Sequence, residues 1–189
     1  MFNFFSRKST GGEQLENDNA LTKVDLCFVV DNTGSMGTFI EAAKAQLIDV
    51  IQRLSADSKI GLQIGLVRYR DHKPQDSMFV TKVHDLERGL NKVRSALNSM
   101  KPEGGGDSAE AVYQGVIDAV DKISWRAHSC RFVILVGDAP PHGFVQFYNR
   151  FYSGESKMFE SDAWPNGCPS ELDVHRVGAS MERKGVAFL

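Results

Sequence analysis

The sequence predicts an α/β fold: a doubly wound, mostly parallel sheet with one antiparallel edge strand. Three observations lead there. Nearly unbroken β-branched and apolar runs recur at 24–30, 60–69 and 132–136, as strands buried on both faces require. Stretches with apolar residues at helical spacing separate them, and parallel neighbours need such crossovers. The turn residues Asp, Gly and Ser cluster where the runs end.

Val24 to Val30 (VDLCFVV) is the first strand and stops at Asp31. In the next segment Ile40, Ala43, Leu47, Val50, Ile51 and Leu54 share one helical face, with Glu41, Lys44, Asp49 and Arg53 between them, which predicts an amphipathic helix over 39–54. Ile60–Tyr69 and Met78–Val83 read as two strands of a hairpin joined by the polar turn Arg70–Asp76, the second forming the antiparallel edge. Leu86, Leu90, Val93, Leu97 and Met100 predict a second helix. Beyond Gly104-Gly105-Gly106, the set Ala109, Val112, Val116, Ala119, Val120 and Ile123 predicts a third. Phe132–Val136 is again a buried strand, Phe144, Phe147, Tyr148, Phe151 and Tyr152 fall at helical spacing, and Val186–Leu189 reads as the opening of one more strand.

With 189 residues, 42% hydrophobic and 24% charged, one domain with a full core is expected. Residues 1–20 are polar after a short aromatic start and read as a flexible leader, leaving 21–189 as the domain. The balance of 22 basic against 24 acidic residues offers no basic field, which argues against nucleic acid and anionic membrane as partners. Three cysteines are an odd number, and Cys27 and Cys130 lie in apolar runs, so buried thiols rather than a disulfide framework are expected. With no signal-peptide pattern or transmembrane-length run, the expected location is cytoplasmic.

The chemistry concentrates at Asp31-Asn32-Thr33-Gly34-Ser35, directly after the first strand. One carboxylate and two hydroxyls converge there, at the C-terminal edge where open parallel sheets bind ligands. A hard cation such as Mg²⁺ takes six oxygens, so other loops must contribute. Asp107, in the glycine loop before the third helix, and Asp138, after the strand 132–136, are the candidates.

Asp31, Thr33 and Ser35 resemble the Asp-x-Ser/Thr-x-Ser motif of the von Willebrand factor A domain, which forms a metal-ion-dependent adhesion site. The resemblance extends through Tyr69-Arg70-Asp71-His72, Gly104-Gly105-Gly106-Asp107, Gly137-Asp138-Ala139-Pro140-Pro141-His142-Gly143 and Gly167-Cys168-Pro169, over roughly 21–189. These blocks look like the intracellular branch of the family, including the A domain attached to some α-type protein kinases. The resemblance implies a metal site of Asp31, Thr33, Ser35, Asp107 and Asp138, with Asp107 replacing the usual Thr. The implied cation is Mg²⁺, or Mn²⁺ or Ca²⁺. The implied partner is a protein, captured where an acidic residue completes the metal's coordination. It also implies a closing helix and strand beyond Leu189. A carboxylate at 107 should strengthen metal retention and weaken the pull on a partner's carboxylate.

Two rival functions are weighed against this one. The Asp31 turn also looks like the nucleophile loop of haloacid-dehalogenase-type phosphoryl transferases, but Asn32 stands where those of cation pumps have Lys and no paired acidic motif follows a later strand. A closed metal site that only staples loops is the other. His72 and His142 are read as hydrogen-bonded loop residues at the rim of the site, and Trp164 and Cys168 carry no assigned chemistry.

Overall fold

The computed structural model of the chain describes residues 22–144 and 161–189. Its centre is a five-stranded sheet in the order β3-β2-β1-β4-β5. The strands are β1 (Thr22–Asp31), β2 (Ile60–Tyr69), β3 (Thr81–Glu87), β4 (Cys130–Val136) and β5 (Val186–Phe188). β1 runs parallel to both β2 and β4, β5 runs parallel to β4, and β3 alone is antiparallel, against β2. The predicted fold class is the one found.

Period-2 alternation along β1 explains the two layers. Leu26, Phe28 and Val30 point to one side, where α1 (Ile40–Ala56) and α2 (Leu90–Asn98) supply Ile40, Leu47, Ile51, Val93 and Leu97. Cys27 and Val29 point to the other, where α3 (Val112–Lys122) and α4 (Val174–Lys184) supply Val112, Val116, Ala119, Val120 and Val177. Phe28, Leu66, Val67 and Leu97 are fully buried, and each such side chain contributes about 1.5–3 kcal/mol of transfer free energy. A run hydrophobic on both faces is therefore what a central strand between two helical layers needs.

The differences from expectation lie at the edges. The antiparallel strand runs over Thr81–Glu87 rather than 78–83: Met78 is solvent-exposed, and Val83 and Leu86 turn inward against the α3 layer. An edge strand covered on one side carries a weaker apolar signal than a central one, so its register could not be read from composition. Because Leu86 belongs to this strand, α2 is shorter than predicted and begins at Leu90. Cys27 and Cys168 are buried, but Cys130, at the first position of β4, is exposed. The leader 1–20 and the aromatic helix expected from Phe147 onward lie outside the described residues. Among the described residues, no helix is long and apolar enough to cross a membrane.

Both ends of the sheet are tied by polar groups. At the N-terminal edge, fully buried Asp25 takes the Arg126 Nε at 2.6 Å, the Arg126 backbone N–H at 2.8 Å and the Ser129 hydroxyl at 2.7 Å. The same guanidinium donates to the carbonyls of Val24 and Gly61. At the C-terminal edge, segment 107–111 inserts between the exits of β2 and β4. Ala111 N–H donates to Arg70 O at 3.0 Å, and Glu110 N–H donates to Pro140 O at 3.0 Å.

Candidate metal site

Asp31 is the last residue of β1 and fully buried. Its Oδ1 accepts the Thr33 N–H at 2.8 Å and the Thr33 hydroxyl at 2.6 Å, the local bonding an Asp favours in a turn. Thr33 Oγ1 lies 3.1 Å from Ser35 Oγ, and Ser35 Oγ donates to Asp138 Oδ1 at 3.0 Å. The β1 turn and the β4 exit thus form one continuous chain of oxygens, Asp31, Thr33, Ser35 and Asp138. Asp31 Oδ2 is buried and makes no hydrogen bond among the described residues. Tyr69, its register partner on β2, brings a buried hydroxyl up to the carboxylate without completing a hydrogen bond of its own. Gly137 makes this approach possible: a Cβ there would fall 2.3 Å from Tyr69 Oη and 3.3 Å from Asp31 Cβ.

The glycine loop is clamped onto this turn. Gly34 N–H donates to Gly104 O, Glu103 N–H donates to Asn32 O, and the Asn32 side chain donates to Lys101 O at 2.9 Å. Buried Arg70 reaches the same Lys101 carbonyl at 3.2 Å and pairs with buried Asp76 at 3.5 Å. Gly104 adopts φ +77°, and a Cβ there would fall 1.9 Å from Asp76 Oδ2, so the close approach excludes any other residue.

Gly34, Ser35, Asp107, Glu110 and Asp138 border one cavity of about 630 Å³ at this edge. The structure therefore brings Asp31, Thr33, Ser35 and Asp138 into bonded contact and puts Asp107 on the same cavity wall. The Asp107 carboxylate is engaged differently, with Oδ2 accepting the Ala163 N–H. Glu110 is the acid that sequence reasoning missed. It is buried beside Thr33, with Oε2 making no hydrogen bond among the described residues. A charged residue inside the apolar run Ala109-Glu110-Ala111-Val112 was the available signal.

Burial pushes the Asp31 carboxyl up to about 6, opposed by its bonds to Thr33 and reinforced by Asp138. Burial, with Asp31, Asp71 and Asp107 nearby, pushes Glu110 up to about 10. Both folded-state values lie above the unfolded ones, so each group favours folding only while protonated. Stability of metal-stripped protein is expected to be highest below about pH 4 to 4.5 as regards these two groups. It should fall as pH rises through 6 and on toward 10, by on the order of 1 kcal/mol per pH unit where one group dominates. Glu110→Gln should flatten the decline above pH 6, as followed by urea midpoints from pH 5 to 9; a wild-type midpoint rising over that range would contradict the assignment.

An all-oxygen donor set with one unpartnered, buried carboxylate oxygen fits a hard divalent cation. Fold and donor set together define a class: a doubly wound α/β domain with a carboxylate-hydroxyl site at the C-terminal edge of its parallel sheet. The chain belongs to the von Willebrand factor A domain family, whose model matches residues 25–148. It is 29% identical over 152 residues to the α-protein kinase vwkA of Dictyostelium discoideum, covering 80% of this chain and 22% of the kinase. It is 32% identical over 123 residues to a putative ariadne-like RING finger protein, R811, of Acanthamoeba polyphaga mimivirus, covering 63% of this chain and 11% of that protein. The chain thus spans a minor part of the relatives it matches. Among solved structures, proximal thread matrix protein 1 of the mussel byssus, with a zinc-occupied adhesion-site motif, superposes with a TM-score of 0.59 at 15% identity. That match covers 91% of this chain and 36% of the other, and shows the shared fold.

Proposed function

We propose that this domain binds a divalent cation, Mg²⁺ or Mn²⁺, through Asp31, Thr33, Ser35 and Asp138, and uses it to capture an acidic residue of a partner protein. The observation that carries this reading is the orphaned Asp31 Oδ2 at the head of the hydrogen-bonded oxygen chain. An unsatisfied buried carboxylate oxygen is costly, and a cation relieves that cost. The zinc held by the mussel protein's adhesion-site motif supports the same use of the fold.

The chain's own residues supply three things. The β1 turn presents two neutral hydroxyls, which offset less of a bound cation's charge than carboxylates in their place would and so favour a partner carboxylate. The clamped glycine loop fixes the position of that turn. The cavity bordered by Ser35, Asp107 and Asp138 leaves room for a side chain to enter. Asp107, expected from sequence to complete this site, contributes charge at the cavity wall, and Glu110 contributes a protonated, neutral neighbour at pH 7 in metal-free protein. This is an interaction module rather than an enzyme, acting in the cytoplasm, and the kinase relative suggests a domain that recruits partners to a larger protein.

The test is fluorescence anisotropy with a labelled Asp- and Glu-rich peptide, in about 5 mM Mg²⁺ and after chelation. Saturable binding that weakens at least about tenfold on chelation is expected. Equal affinity in both conditions would rule out metal-mediated capture and leave the cation a structural role.

A further inference from the structure

Next to this site lies a second constellation, drawn from loops far apart in sequence. His142 is buried between two carboxylates: Nε2 lies 2.7 Å from Asp71 Oδ1, and Nδ1 lies 2.9 Å from Asp162 Oδ1. Asp162 is held in place by the N–H groups of Gly143 and Trp164, at 2.8 and 2.9 Å. One ligand atom from each of Asp107, His142 and Asp162 falls within 4.8 Å of the others. Trp164 stacks edge-on against His142, with centroids 4.7 Å apart, and shields the ring.

The charges there do not balance. Three carboxyl groups, those of Asp71, Asp107 and Asp162, converge on the single imidazole of His142. Among the described residues no Lys or Arg pairs with any of the three; Arg70, the basic residue beside Asp71 in sequence, is turned toward Asp76 and Glu103. Asp71 is fully buried, and its carboxyl group faces that of Asp107. Among the described residues neither Asp107 Oδ1 nor Asp71 Oδ2, both buried, takes a hydrogen bond from an N–H or hydroxyl group. A histidine salt-bridged to two carboxylates accounts for one charge and leaves the facing Asp71 and Asp107 carboxyl groups to be held together by a shared proton or by a cation.

We infer that Asp107, His142 and Asp162 form a second divalent-cation site, distinct from the Asp31 site and suited to Zn²⁺ rather than Mg²⁺. An imidazole nitrogen beside carboxylate oxygens is a borderline donor set, which favours Zn²⁺ over the all-oxygen preference of Mg²⁺. Ligand atoms about 2.0–2.1 Å from one Zn²⁺ sit roughly 3 Å apart, so the 2.9 Å between His142 Nδ1 and Asp162 Oδ1 suits neighbouring ligands. Nδ1 would lose its proton to solvent as its lone pair took the cation. Nε2–H stays on Asp71, which orients the ring as the outer carboxylate of a carboxylate–histidine–metal arrangement. Asp107 also borders the cavity of the first site, which gives the ion a route in from solvent. Bound there, the cation ties the β2 exit, the glycine loop, the β4 exit and the 162–168 loop together beneath the partner-binding face.

The inference stands independently of the Asp31 site, and one experiment separates the two. The metal-stripped 189-residue chain is titrated with Zn²⁺ by calorimetry as wild type, Asp31→Ala and Asp162→Asn, and the imidazole ¹⁵N resonances of the Asp31→Ala protein are followed. Wild type should take up two equivalents, and each variant one. In Asp31→Ala protein that equivalent should shift the His142 ring resonances. Asp162→Asn keeps one of the two oxygens that accept from Gly143 and Trp164, and its retained Asp31 equivalent reports an intact fold; His142→Gln replaces it if that equivalent is lost too. Unshifted His142 resonances, or two equivalents retained in the Asp162 or His142 variant, would overturn the second site. One equivalent in wild type, kept by Asp31→Ala and lost in Asp162→Asn, would uphold it while removing the Asp31 site.

Discussion

Asp31→Ala is expected to abolish saturable Mg²⁺ or Mn²⁺ binding at the β1 turn, weakening it at least about 100-fold, or roughly 3 kcal/mol. Asp31 is the one carboxylate of that turn, and among the described residues only the Tyr69 hydroxyl approaches its otherwise unbonded Oδ2. Without it, the turn offers only the neutral oxygens of Thr33 and Ser35, and neutral hydroxyls alone hold a hard cation poorly. The fold should survive the change. Burial already raises the Asp31 carboxyl to about 6, so a charge at neutral pH opposes folding of the metal-free protein, and its removal offsets the lost bonds to Thr33. Calorimetric titration beside a thermal melt checks both halves. A variant that melts normally and still binds Mg²⁺ would move the cation away from this turn.

The second large effect lies at the opposite edge of the sheet. Asp25→Ala should lower stability by about 3–5 kcal/mol, since it leaves the partly buried Arg126 guanidinium without its carboxylate and strips an acceptor from the Arg126 N–H and from Ser129. At about 2–4 °C per kcal/mol for a domain of this size, the melting temperature should drop on the order of 10 °C. Metal affinity, measured below the melt, should not change, because Asp25 and Asp31 sit at opposite ends of β1. An unchanged urea midpoint would mean that the Arg126 bonds to the Val24 and Gly61 carbonyls suffice to hold this edge.

The two faces of β1 and the site at its end were legible for the same reason: both are written in consecutive residues. VDLCFVV is apolar at every position but Asp25, which only a strand covered on both sides requires, and the Asp31–Ser35 turn carries its carboxylate and hydroxyls within five residues. The edge strand Thr81–Glu87 was less legible because half of its surface faces solvent and its pattern, TKVHDLE, is diluted accordingly. Asp107 was placed correctly in the loop before α3, but the direction of its carboxylate was not, since the Ala163 N–H it engages lies 56 residues away.

The sequence by itself determined the order of strands and helices, the parallel core, and the position of Asp31, Thr33, Ser35 and Asp138 at the sheet's C-terminal edge, because alternation and local spacing encode them directly. Only the tertiary structure decided that Glu110 is buried against Thr33, and that Asp71, Asp107, His142 and Asp162 meet. Those residues are brought together where segment 107–111 threads between Arg70 and Pro140. No periodicity records such a meeting, for it arises from long-range packing of loops whose own sequences are merely polar.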